Sequence, residues 1–299
     1  MQTIIVEDSN NERIDTFLMY KTDYTRSKIQ KMLKNGDIKV NDCLVKNSYS
    51  IKFNDVIEIK EVLPEEMHAE PEEMNLNIVY EDEDVIVVNK DNGIVVHPAI
   101  GNNHGTLVNG LLFHSKNLSS VNGEFRPGIV HRIDAYTTGL LMIAKNDKSH
   151  EILAKELSDK KTTRKYWALV WGVINHDTGT IDAPIGRDAN DRKKMTVTEV
   201  NSKDAITHFK VLERYKDATL IELILETGRT HQIRVHMQYI GHPVVNDPVY
   251  GRKKLIDNTG QCLHAKTLGF SHPTKNEYME FDSELPSCFI NILDKFKDS

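Results

Sequence analysis

The sequence predicts an α+β protein in two parts: a small α/β domain over residues 1–60, and a larger domain over 76–299 built on a mixed, mainly antiparallel sheet with flanking helices. Three observations lead there. Beyond residue 75, strand-like runs are broken by single helices, without the regular alternation of a βαβ fold. Residues 13–60 hold two helical patterns followed by two alternating strands. Between the two lies an acidic stretch, 61–75, containing Pro64 and Pro71, where like charges and proline both oppose a helix.

In the first part, Arg13–Met19 and Ser27–Lys34 carry apolar residues at helical spacing, and Asn35-Gly36 offers a left-handed cap to the second helix. Asp37–Asn41 and Asp55–Lys60 alternate as half-buried strands do. Arg26, Lys28, Lys31 and Lys34 fall on the exposed side of the second helix, either as a few phosphate contacts or as an ordinary solvated face. The segment to about Glu73 reads as an extended, solvated linker, with an acidic patch for a basic partner as the functional alternative. Leu76–Tyr80 opens the next domain, followed by strands at 85–90, 140–145, 165–171, 204–213 and 218–226. His264–Phe270 and Tyr278–Phe281 are two late strands, and helices are expected at 106–114, 147–160, 230–240 and 286–297.

Composition narrows the function classes. The chain has 39% apolar and 27% charged residues, no apolar run near the ~20 needed to span a bilayer, and no signal-peptide pattern at its start. Three isolated cysteines, Cys43, Cys262 and Cys288, form neither a disulfide framework nor a CxxC metal site, which fits a cytoplasmic protein. His231 and His236 are five apart, no HExxH is present, and His97, His104 and His114 show no ligand spacing, so no metal is expected. Nucleotide-binding glycine loops and the G-x-S-x-G elbow are also absent. The net charge of −6 looks unsuited to a nucleic-acid partner, but it is unevenly spread. Residues 61–84 carry ten Asp/Glu and no Lys/Arg, while 1–60 are at +1 and 85–299 at +3.

The stretch most suited to chemistry is Gly128-Ile-Val-His-Arg-Ile-Asp134-Ala-Tyr-Thr-Thr-Gly-Leu140. It sets one carboxylate after a His-Arg pair and ahead of a Thr-Thr-Gly turn. On an extended segment Arg132 and Asp134 share a face. A carboxylate kept ionised in a closed cleft needs a cationic partner, because burial alone favours the neutral acid. A hundred residues on, Leu225-Glu-Thr-Gly-Arg-Thr-His-Gln-Ile-Arg-Val-His236 supplies candidates.

These two stretches resemble the HR(L/I)D-x-x-T-(S/T)-G-L and TGR-x-HQIR-x-H motifs of RluA/RluD-type pseudouridine synthases. Thr163-Arg-Lys-Tyr-Trp-Ala-Leu-Val170 resembles that family's K-x-Y-x-A-x-V strand, and Asn246-Asp247-Pro-Val-Tyr-Gly251 its G-(D/N)-x-x-YG loop. Arg26-Ser27 with Gly36–Asn41 resembles an S4 RNA-binding domain. Ile133 and Thr138 are the small departures, where Leu and Ser are frequent. The resemblance implies a mixed sheet with a central cleft, and an enzyme that isomerises uridine in RNA without cofactor or metal. Asp134 would be its catalytic carboxylate, Arg234 the ion-pair partner and Tyr166 the ring against uracil. Arg132 would fill the place that the extruded base leaves. His131 would orient the loop, contact phosphate, or be a satisfied structural histidine. Arg229 and His231 would hold the motif or phosphate at a helix start.

Large-subunit ribosomal RNA is the expected partner, transfer RNA the alternative, and a monomer is expected. Asp134 could attack C1′, attack C6 or deprotonate C2′. Two readings from other classes are an RNA-binding assembly factor that has lost the chemistry, and a metal-dependent RNA hydrolase. Arg187, Arg192 and Lys193-Lys194, and Arg252-Lys253-Lys254, are basic clusters suited to phosphate. The Asn246–Gly251 loop is expected to shape the domain near the cleft and to do no chemistry.

Overall fold

The structure is a computed structural model that describes residues 2–8, 11–60, 69–98, 102–121, 127–252 and 255–297. The chain divides into two compact units, Met1–Glu66 and Met67–Ser299.

In the first unit β1 (Gln2–Ile5), α1 (Ile14–Lys21), α2 (Arg26–Asn35), β2 (Ile38–Val40), β3 (Cys43–Leu44) and β4 (Val56–Ile59) follow in order. The four strands form one sheet, ordered β1-β4-β2-β3, with every pairing antiparallel. Strands β1 and β3 are additions to the sequence reading. Thr25 caps α2 by accepting from Lys28 N, and Gly36 ends it at φ +82°, where a side chain would be strained. Ile29, Met32 and Leu33 turn inward against Ile14, Leu18, Ile38 and Ile57, which leaves Lys28, Lys31 and Lys34 outside. Asp15 is fully buried and takes hydrogen bonds from Arg13, Arg26 and Gln30, so it ties the two helices together. The Arg13 bond, helped by Arg26 and Gln30, holds its carboxyl well below the usual carboxylate range against the opposing effect of burial.

The second unit begins differently from expectation. Residues 61–68 of the expected linker lie outside the described residues, and residues 69–74 keep Glu70, Pro71 and Glu73 exposed but are not free. They dock on α3 (Leu107–His114): Glu72 N donates to Asn109 O, and Asn109 Nδ2 to Glu70 O. Ala69 and Leu76 pack on the main core. Two of the carboxylates beyond are also paired. Glu81 meets His114 and Lys145, and Asp82 meets His272 and Lys275.

The strands are β5 (Ile78–Glu81), β6 (Val85–Lys90), β7 (Thr138–Ala144), β8 (Thr163–Trp171), β9 (Thr178–Asp182), β10 (Ile185–Arg187), β11 (Met195–Val197), β12 (Ile206–Arg214), β13 (Ala218–Leu225), β14 (Leu263–Ser271) and β15 (Tyr278–Asp282). The helices after α3 are α4 (Asp147–Ser158), α5 (Gln232–Tyr239) and α6 (Ser287–Lys297). Nine strands make one sheet, ordered β5-β6-β7-β14-β8-β13-β12-β9, with β15 on β14; β10 and β11 pair separately. Strands β9 to β11 were not expected, because 178–197 is rich in Gly, Asp and Lys and alternates only briefly.

The sheet is mixed and mainly antiparallel. Its one parallel joint is short, His264 with Thr138 and Ala265 with Gly139. Helices α3 and α5 cover one face through Leu107, Leu111, Ile233 and Met237. On the other, α4 buries Leu153 against Leu140 and Met142, and α6 buries Phe289, Ile292 and Leu293 against Leu169 and Leu220. Strands β6 and β7 are covered on both faces, which is why Val85–Val88 and Leu140–Ala144 read as unbroken apolar runs.

Gly139 makes the parallel joint fit. It has φ +108°, and a Cβ there would stand 2.3 Å from Ala265 O. Gly139→Ala should destabilise the protein by well over ~1 kcal/mol, read as a lower thermal midpoint. An unchanged midpoint would show that the joint does not need a glycine.

Candidate active site

The cleft opens on the α3/α5 side of the sheet and encloses about 510 Å³, within the ~300–1,000 Å³ of sites that take small organic groups. Its floor is β8, its walls the 130–137 loop and the turn before α5.

The loop is fastened at both ends. Gly128, at φ +70°, accepts from Ala144 N, and His131 Nε2 accepts from Met142 N at 3.1 Å. Burial and the nearby Arg164 hold His131 down to about 3, so this imidazole stays neutral and acts as a fastening. Ile133 then turns into the core while Arg132 and Asp134 face the cleft, as an extended i, i+2 pair must. Past Asp134, Thr137 N donates to Asp134 O, and Gln261 donates to Thr137 Oγ1. Lys90 lies fully buried beneath, giving its ammonium to Asp91 O and Ala135 O, both at 2.8 Å. Burial lowers it to about 7, against the pull of Asp134 and Asp91. Sequence reading did not single out Lys90, which looks like the polar end of an apolar strand.

Arg234 comes from the first turns of α5 and is 5% exposed. Its Nη1 donates to Asp134 Oδ2 at 2.8 Å. Its other edge grips Asp247 with two bonds, Nε to Oδ2 at 2.6 Å and Nη2 to Oδ1 at 2.9 Å. Burial opposes its charge, but the Asp247 bonds and both carboxylates outweigh this and raise its pKa further. Asp247 is completely buried and also accepts from Val249 N and Tyr250 N. The Asn246–Gly251 loop therefore does more than shape the domain: it holds the guanidinium that reaches Asp134. The sequence hid this, because Asp before Pro in a turn is an ordinary loop carboxylate.

Tyr250 backs the arrangement. Its ring lies 4.9 Å from the Arg234 guanidinium, and its hydroxyl meets His231 Nδ1 at 2.9 Å. The expected helix at 230–240 starts only at Gln232, because His231 sits at φ +56°. From there His231 Nε2 comes within 3.8 Å of Asp134 Oδ1. Burial lowers His231, with Asp134 opposing. Arg229 points to the protein: its Nε donates to Asp204 O and its N to Gln232 Oε1. Tyr166 lines the floor at 6% exposure, and burial raises its phenol, so it keeps its proton at neutral pH.

Other polar groups stand apart from the cleft. His236 is buried, bonding to Thr207 and Ala183 O. Asp82, Asp84 and His272 come within 4.8 Å of one another, but Lys275, Thr274, Asn146 and Ser149 also bond to the two carboxylates. Lys253 and Lys254 lie outside the described residues, and Arg252 stacks 4.2 Å over Trp171.

The sequence model of the RNA pseudouridylate synthase family matches residues 84–239, the span that carries the Asp134 loop, Tyr166 and Arg234. The chain belongs to this family. A Bacillus subtilis protein described as an uncharacterized RNA pseudouridine synthase, YlyB, is 53% identical over 97% of this chain and 96% of its own length. Ribosomal large subunit pseudouridine synthase D of Zymomonas mobilis is 42% identical over 95% of this chain and 94% of its own. The solved structure of human RNA pseudouridylate synthase domain containing 1 shares the fold at TM-score 0.59 and 26% identity, over 80% of this chain and 98% of that one. The protein is thus an RNA pseudouridine synthase of the RluA/RluD type, an isomerase. Among the described residues no helix is long and apolar enough to cross a membrane.

If Asp247 holds Arg234, Asp247→Ala should cost the synthase about 3–5 kcal/mol of stability, and should lower single-turnover rate more than RNA affinity. Denaturant unfolding and rapid-mixing kinetics would check both. A variant with wild-type stability and rate would show that Arg234 needs no second carboxylate.

Proposed function

We propose that this synthase isomerises uridine in large-subunit ribosomal RNA, acting in the cytoplasm as a monomer, with Asp134 as the reactive carboxylate. The observation that carries the assignment of Asp134 is the 2.8 Å bond from Arg234 Nη1 to its Oδ2, made inside an open cleft on a floor that includes Tyr166. The reaction breaks the C1′–N1 bond, turns the uracil and joins C1′ to C5; the C5 hydrogen leaves as a proton and the freed N1 takes one up. It needs no redox partner, so one ionised carboxylate suffices to open it, whether by attack at C1′, attack at C6 or removal of the C2′ proton. Arg234 supplies the counter-charge, and Tyr166, with its proton retained, offers a ring face and a hydroxyl donor. Arg132 is exposed at the mouth and is suited to stand in for the extruded base. His131 fastens the loop, while His231 and Arg229 shape the wall. The ribosomal substrate is supported by relatives named for the large subunit, at 42% and 43% identity.

We assign RNA gripping to the first unit as an S4-type domain. Lys28, Lys31 and Lys34 stand exposed along α2, and Arg26 beside them also serves Asp15. The support is the helix pair, the left-handed Gly36 cap and the following Ile38–Val40 strand.

Tritium release from a [5-³H]uridine-labelled large-subunit transcript tests the reaction. Wild type should release label with chelator present, and Asp134→Asn should be slower by at least about a hundredfold. Equal release by the variant would remove Asp134 from the mechanism, and release only from transfer RNA would move the substrate. Replacing Lys28, Lys31 and Lys34 together by Glu should weaken RNA binding and flatten its salt dependence, while the single-turnover rate on saturating RNA holds. Unchanged affinity would take RNA gripping away from α2.

A further inference from the structure

The cleft holds more positive charge than its carboxylates answer. Lys160 is paired with Glu226, and Arg234 with Asp134 and Asp247. Arg132, Arg164 and Arg229 meet no carboxylate among the described residues, and all three line the cleft. Arg229 is turned to Asp204 O and Arg132 is exposed. Arg164 is neither. Its residue is 8% exposed, and its Nε is sealed from solvent with no hydrogen-bond partner. No side-chain bond of its terminal nitrogens is found among the described residues either. A buried guanidinium with all its donors unspent is costly unless a ligand completes it.

Its direction is fixed from above. A Cβ on Gly228 would stand 2.8 Å from Arg164 Nη1, so the guanidinium is packed beneath the turn that precedes α5. It also lies on the same face of β8 as Tyr166, two residues away, or roughly 6–7 Å along the strand. That is near the span from a nucleobase to its own phosphate. Of the groups a nucleotide presents, only the phosphate is an anion, and guanidinium matches its oxygens in pairs.

We propose that Arg164 is the seat of a phosphate subsite in the cleft, holding a phosphodiester next to the target uridine while Asp134 meets the sugar and base. This rests on the nucleotide-isomerising reading above. Gly228 is then required because any side chain would displace the guanidinium.

The probes are uridine and uridine 3′,5′-bisphosphate, with dissociation constants measured by NMR titration. Wild type should bind the bisphosphate at least about tenfold more tightly than uridine. Arg164→Gln should bring that ratio to within about threefold of unity and leave uridine affinity in place. Arg164→Lys should retain part of the ratio. Gly228→Ala keeps the guanidinium but pushes it aside; it should lose the ratio with little change in thermal midpoint, because the clash falls on the end of a flexible side chain. It therefore tests the subsite even if Arg164→Gln fails to fold. A wild type without phosphate preference, or variants that keep it in full, would overturn the proposal. Tritium release from ribosomal transcript separates the two readings. An Arg164-dependent preference without release from any RNA would leave the subsite standing and sink the reaction. Release with an unchanged ratio in the variants would do the reverse.

Discussion

One guanidinium between two carboxylates is the interaction on which the site depends. Asp247 is fully buried and holds Arg234 by two parallel bonds, which leaves a single nitrogen free to reach Asp134. The division is unequal for a physical reason. A sealed carboxylate is compensated only by a well-aimed cation and by backbone donors, and Asp247 has both. Asp134 sits at the open edge and takes what remains, a counter-charge on one oxygen. Among the described residues, the ion-pair partner near its other oxygen is His231, at 3.8 Å. In the proposed reaction, that oxygen is the one left to face the nucleoside.

The sheet makes this possible by bringing distant strands to one point. The Asp134 loop runs directly into β7, and β7 meets β14 over only two residue pairs, at Thr138 and Gly139. Strand β14 then continues along β8, placing Ala265 beside Tyr166. A side chain at Gly139 would hold the two strands apart, and the loop, the floor and the turn before α5 would no longer converge. The Thr-Thr-Gly following the carboxylate is thus a packing requirement as much as a turn. Buried Lys90 adds a second tie by fixing the carbonyl next to Asp134 from below.

Charge along the chain follows the same logic of local compensation. The acidic excess at 61–84 includes Glu72, Glu81, Asp82 and Asp84, and each is met by histidine, lysine or hydroxyl within its own unit. The overall charge of −6 therefore says little about the surfaces that meet RNA. The cleft itself carries cations beyond its carboxylates, and α2 shows three lysines to solvent.

Periodicity and the motifs made the main elements of the catalytic sheet legible, because β6 and β7 are unbroken apolar runs and β8 and β13 set mainly apolar residues on their buried positions. The motif order likewise named Asp134, Tyr166 and Arg234. Strands β9 to β11 escaped because they are short, and are held by pairing rather than by pattern. The segment 69–74 read as a solvated linker from its acidity and proline, and Glu70 and Glu73 are exposed, but its backbone is tied to Asn109 by bonds that are non-local. Asp247, Lys90 and Arg164 escaped for a related reason. An aspartate in a turn, a lysine at a strand end and an arginine at a strand start are unremarkable until their burial is known. The sequence by itself determined which residue types are offered for chemistry, since that follows from local order along the chain. Only the tertiary structure decided which charges are paired, sealed or left open, because burial and charge balance arise where strands far apart in sequence meet.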